Sequence, residues 1–118
     1  VEHFQSEFTR LWDSERNGIL YPKTLFEDQG HSSSFALESL LKSVWVDTVV
    51  FCGIEMHRRC LSLAHNADFE LIEDPRLRAK LEAKNLLMGR DLILGAQNID
   101  NVEKLITMAQ KYNSKDVL

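Results

Sequence analysis

Val44-Trp45-Val46-Asp47-Thr48-Val49-Val50-Phe51 is the stretch on which the fold class turns. Its β-branched residues suit a strand, and a strand here would end any all-helical reading. The flanks argue the other way. Leu37, Leu40, Leu41, Val44 and Trp45 keep helical spacing on one side, and the pattern resumes at Glu55 and runs through Leu61, Ala64 and Leu71 on the other. No turn signal separates the β-branched run from either neighbour, and a lone Gly53 costs a helix only about 1 kcal/mol. The reading is therefore helix throughout, capped by Ser34 and with Glu38 in its first turns, where the helix dipole favours an acid. A helix apolar on nearly every side belongs at the centre of a core. A bend near Gly53 or Asn66 would divide it in two.

Working outward, Phe4, Phe8, Leu11 and Trp12 recur at helical spacing and make residues 2–13 a short amphipathic helix. Pro22, Gly30 and the Ser32-Ser33-Ser34 run then punctuate residues 14–33, an irregular segment long for a compact domain and so either an ordered loop with a task or a partly mobile one. Asp74-Pro75 reads as an N-cap acid with proline at the first helical position. The helix it opens carries Leu77, Leu81, Leu86, Leu87, Met88 and Ile93 to Leu94, with Gly95 as its terminator. Asp100, with Glu103 as capping-box partner, opens a last helix striped by Val102, Leu105, Ile106, Ala109 and Tyr112. The expectation is an all-α fold: an orthogonal or up-down bundle of four helices, or five if the long second helix is broken, with an irregular N-terminal loop. A single domain would span 1–118, with residues 1–33 as helix plus loop arm, 34–113 as helical core and 114–118 as tail.

A chain of 118 residues can bury a core without staples, and 44% apolar with 27% charged residues is ordinary for a globular protein. A net charge of −4 argues against a nucleic-acid partner, which needs a basic footprint. Cys52 and Cys60, eight apart, would lie about 12 Å apart along one helix axis, too far for a disulfide. They read as free, buried thiols of an intracellular, cytoplasmic protein. The run from Val44 to Ile54 is too short to span a bilayer and is interrupted by Asp47. Because the chain opens with Val1 and not Met, it reads as a processed or excised piece of something longer.

Chemistry-bearing patterns begin at Asp13-Ser14-Glu15-Arg16-Asn17-Gly18-Ile19-Leu20. Asp13, Glu15 and Asn17 would take positions 1, 3 and 5 of an EF-hand calcium loop, Gly18 the turn at position 6 and Leu20 the apolar position 8, while Thr24 stands where the bidentate acid belongs. Over residues 8–24 this wording, with Gly18-Ile19-Leu20-Tyr21-Pro22-Lys23-Thr24, resembles the single calcium loop of the caleosins, which are lipid-droplet haem peroxygenases. The resemblance implies a degenerate loop that binds calcium weakly. No later block of that family follows, so haem ligands are not carried over onto His57 or His65.

Arg59 and His65, with five residues between them, form a pair similar to the Arg-x(4–6)-His signature of the small helical HEPN ribonucleases. That resemblance implies His65 as general base on a ribose hydroxyl and Arg59 on phosphate charge. Cys60 replaces the polar residue usual after that arginine. No Glu-x-x-His pair is present for a di-iron site, and there is no glycine-rich phosphate loop, nucleophile elbow or Cys-x-x-Cys. Asp68, Glu70, Glu73 and Asp74 followed by Arg76, Arg78, Lys80 and Lys84 read as a solvated face.

Leu77 and Leu81 look away from Leu87 and Ile93, so that helix has two apolar sides, one for its own core and one for a second subunit. The favoured expectation is a non-enzymatic helical module acting through protein–protein contact, a homo-oligomer using Leu77, Leu81, Leu87 and Ile93, with no cofactor. The alternatives are a calcium-responsive, caleosin-like module and a small HEPN-like ribonuclease.

Overall fold

The computed structural model describes residues 1–14, 22, 24, 33–61 and 67–114, and every regular element among them is helical. In chain order these are α1 (Glu2–Ser14), α2 (Ser34–Leu61), the single turn α3 (Ala67–Glu70), α4 (Pro75–Gly95), a 3₁₀ turn at Ala96–Asn98 and α5 (Val102–Asn113). The fold class is all-α, as the periodicity indicated. The β-branched run is the middle of α2, which passes unbroken through Val46–Val50 and Gly53. Most of the irregular stretch 14–33, together with Asn66 and the tail beyond Ser114, lies outside the described residues.

The chain divides into two units, Val1–Val44 and Trp45–Leu118, with α2 contributing to both. In the first, the rings of Phe4, Phe8 and Trp12 follow one another along α1, with centroids 5.7 and 6.3 Å apart. This is the i, i+4 row that a helix face creates. Among the described residues of this unit, Trp12 and Leu37 are the buried apolar ones. The Trp12 indole Nε1 donates to the Ser33 hydroxyl at 3.2 Å, and the Ser33 carbonyl accepts the Leu37 N–H at 3.0 Å. Ser33, one residue before the cap expected at Ser34, thus links the start of α2 to the buried tryptophan.

In the second unit the core is Val49, Leu92, Ala96 and Ile99, with Trp45, Val46, Val50, Met56, Met88, Leu105 and Met108 packed around it. Val49 and Leu92 are 1% and 0% exposed, so the β-branched residues are helical because their side chains fill this core, which outweighs a weak local preference. Trp45 Nε1 donates to the Ile99 carbonyl at 2.5 Å and ties α2 to the chain between α4 and α5.

The caps agree in part with expectation. Asp74 accepts from the backbone N–H groups of Arg76 (2.9 Å) and Leu77 (3.4 Å), with Pro75 at the first helical position. Gly95 does not terminate α4 in the left-handed conformation: its φ is −99°, and the chain tightens into the 3₁₀ turn. The cap of α5 is Asn101, whose side chain accepts from the Lys104 N–H at 2.9 Å. Asp100 instead pairs with the Lys104 ammonium at 2.8 Å. Both residues can cap, and the choice between adjacent capping residues depends on backbone geometry that spacing does not specify.

Candidate functional site

The tightest feature of the second unit is the crossing of α2 and α4 at two glycines. A Cβ on Gly53 would stand 2.5 Å from the Gly89 carbonyl oxygen and 2.8 Å from Ile93 Cγ1. One on Gly89 would stand 2.8 Å from His57 Nδ1. The missing side chains let the two backbones approach, which is the purpose that repays glycine's cost inside a helix. His57 lies over Gly89, and its Nδ1 is 2.8 Å from the Gly53 carbonyl. A carbonyl only accepts, so Nδ1 carries the proton and Nε2 is left as the acceptor in the neutral ring.

One turn away, Asn85 of α4 donates through Nδ2 to the Met56 carbonyl at 2.8 Å and to Cys60 Sγ at 3.1 Å. Both cysteines are free. Cys60 is half-buried under Asn85, whereas Cys52 is exposed and not buried as expected. On the exposed side of α2 Arg58 makes a two-point bond to Glu55, at 2.8 and 2.7 Å. That bond, more than Arg59 close by, lowers the pKa of the Glu55 carboxyl. Arg59 is exposed on the following position.

Two residues beyond Gly89 on α4, Asp91 accepts from the Tyr112 hydroxyl of α5 and from Arg90 at 2.7 Å. The Tyr112 bond and then the Arg90 bond hold the Asp91 carboxyl below its ordinary pKa. The same tyrosine–aspartate bond, followed by burial, raises the phenol.

Only some of the residues singled out from sequence are among the described ones. Asp13 is exposed near the end of α1, while Glu15 and Asn17 lie outside the described residues. His65 lies outside them too, so Arg59 is described without the partner of its motif. Among the described residues no three His, Cys, Asp or Glu groups are placed to hold a metal. Leu77 and Leu81 are exposed on α4, and Leu87 and Ile93 are half-buried, with Ile93 turned toward Gly53 of α2. The glycine crossing, Asn85 and the Tyr112–Asp91 bond were not anticipated. Gly53 and Gly89, each in a helix interior with no turn chemistry around it, were the available signal for the first.

No protein-family profile matches the chain, and no solved structure matches it. Several curated proteins do. A protein of Escherichia coli O45:K1 is 31% identical over 107 residues, covering 91% of this chain and 26% of the relative. One of Klebsiella pneumoniae subsp. pneumoniae is 38% identical over 84 residues, 71% of this chain and 20% of the relative. One of Yersinia enterocolitica is 36% identical over 100 residues, 81% and 24% respectively. All three bear the same name. The chain is similar to methylthioribose kinases.

It spans about a quarter of the length of these relatives. The similarity corrects two expectations. The caleosin-type EF-hand resemblance falls, because it rests on about 20 residues of a permissive turn pattern, whereas the match to methylthioribose kinase extends over 107. The non-enzymatic contact module falls as well, because the relatives carry the name of an enzyme. With it go its calcium-responsive and ribonuclease alternatives, because the name the relatives bear is that of a kinase. Among the described residues no helix is long and apolar enough to cross a membrane.

Proposed function

We propose that this chain is a helical segment of a methylthioribose kinase, an enzyme that moves a phosphoryl group from a nucleoside triphosphate to methylthioribose. The similarity to methylthioribose kinases along nine-tenths of the chain is the observation that supports this reading. Phosphoryl transfer is catalysed mostly by positioning and by neutralising charge on the transferred group. A glycine-rich loop that could cradle a nucleotide's phosphates is absent from these 118 residues, so on this reading the nucleotide is held by another part of the polypeptide. The helices then supply framework and cationic side chains. Arg59 keeps the charge-stabilising role its chemistry suits: it is exposed, beside a glutamate whose strongest bonds go to Arg58. A cytoplasmic setting, where phosphoryl donors are abundant, fits this reading and the two free thiols.

The test is a chimera in which this chain replaces the matching segment of the Klebsiella pneumoniae enzyme, assayed for methylthioribose phosphorylation. Turnover within about tenfold of the parent, an activation difference of about 1.4 kcal/mol, is the expected result. A folded chimera without turnover would overturn the reading. Within an active chimera, Arg59→Ala should lower kcat by about 10²–10³-fold, the loss typical of a group that stabilises transition-state charge, with Arg59→Lys recovering part of it. An unchanged rate would remove Arg59 from the chemistry while leaving the kinase reading intact.

A further inference from the structure

The side of α2 turned away from the core is apolar as well. Phe51, Ile54 and Leu61 are 64%, 43% and 70% exposed. At 100° per residue they fall within about 80° of one another on the helix surface. Val49, Gly53, Met56 and Cys60 occupy the far side, and all four meet the core or α4. The exposed stripe runs for about 15 Å along the axis and presents roughly 300 Å² of apolar side chain, the scale at which patches on monomers are often functional. Arg58 lies within the same arc, but its guanidinium is drawn to Glu55 on the flank, so the pair forms a polar rim beside an apolar strip, the arrangement found at protein interfaces.

We infer that this stripe docks against the part of the methylthioribose-kinase polypeptide lying beyond the matched segment. The inference rests on the kinase reading above, and length argues for this occupant. The relatives are about four times as long as the segment they share with this chain, so within them the segment is surrounded by other polypeptide. A strip of Phe, Ile and Leu with a narrow charged rim suits a permanent apolar contact inside one chain better than a transient one.

The double variant Phe51→Asp/Leu61→Asp tests this in two settings. In the Klebsiella pneumoniae chimera it should lower the Tm by about 5 °C or more, the shift expected when an apolar contact of this size is lost. In the 118-residue chain alone it should keep the helical circular dichroism and lower the Tm by much less than in the chimera, because neither side chain is enclosed there and only the helix-propensity and charge costs of the two aspartates remain. An unchanged Tm in the chimera would show that the stripe faces solvent and would overturn the inference. An equal loss in the isolated chain would assign the stripe to this chain's own packing, and a dimer of the isolated chain that the variant splits would assign it to a second copy. Either result overturns it. Turnover by the unsubstituted chimera reports on the kinase reading, and the Tm difference reports on docking, so the two can fail separately.

Discussion

The two sides of α2 are almost equally apolar and differ in what they meet. On the inner side Val49 is enclosed by the core of the second unit, and Gly53 lets α4 approach to backbone contact. On the outer side Phe51, Ile54 and Leu61 stand in the open with the Glu55–Arg58 pair beside them. Burial of apolar surface is non-directional, so hydropathy does not tell one side from the other. What marks the inner side is the absence of a side chain at Gly53, because a helix can approach closely only where nothing projects.

The comparison can be broken most severely from α4. Leu92→Ala removes a side chain that is fully enclosed opposite Val49 and should cost about 2–5 kcal/mol, read as a lower urea midpoint with an unchanged slope. If Leu92→Ala were tolerated, the inner side would be no better packed than the outer.

A smaller effect is expected at the crossing. Alanine favours a helix over glycine by about 1 kcal/mol, but the new methyl of Gly53→Ala would meet the Gly89 carbonyl and Ile93, and overpacking of this kind costs about 1–3 kcal/mol. The net change should be a loss of stability. A gain would mean that the helices separate freely and that the close approach holds nothing.

A milder test concerns how α5 holds α4. The folded pKa of Asp91 is lowered, so its contribution is complete above the ordinary aspartate range and is lost as pH falls through the folded value. The folded pKa of Tyr112 is raised, so its contribution is complete below the ordinary tyrosine range and is lost as pH rises through the folded value. Tyr112→Phe should abolish the alkaline limb of a Tm–pH profile and shrink the acid limb. The acid limb should persist in part, because Arg90 still binds Asp91.

The smallest effect belongs to the outer side. Glu55→Gln deletes an exposed ion pair, and such pairs seldom contribute measurably to stability. No change in Tm is expected for the isolated chain. A clear drop would show that the outer side is organised by this chain itself.

Much of the fold could be read from neighbouring residues. The stripe of α1, the Asp74-Pro75 start of α4 and the helical frame around Val46–Val50 all depend on interactions within a few positions. The cap of α5 was misplaced by one residue because Asp100 and Asn101 have similar capping chemistry. The candidate site was barely readable. Asn85 reaches Met56 and Cys60 across 29 and 25 positions, and Tyr112 reaches Asp91 across 21, distances over which no local pattern carries information.

Residue order alone thus established an all-helical chain, because hydrophobic periodicity, capping and glycine or proline punctuation act within one or two turns. It left open which apolar side of α2 becomes core and which glycines mark a crossing. Those choices belong to tertiary packing, because apolar surface gains by burial against any partner, and a missing Cβ matters only once a second helix arrives to fill the space.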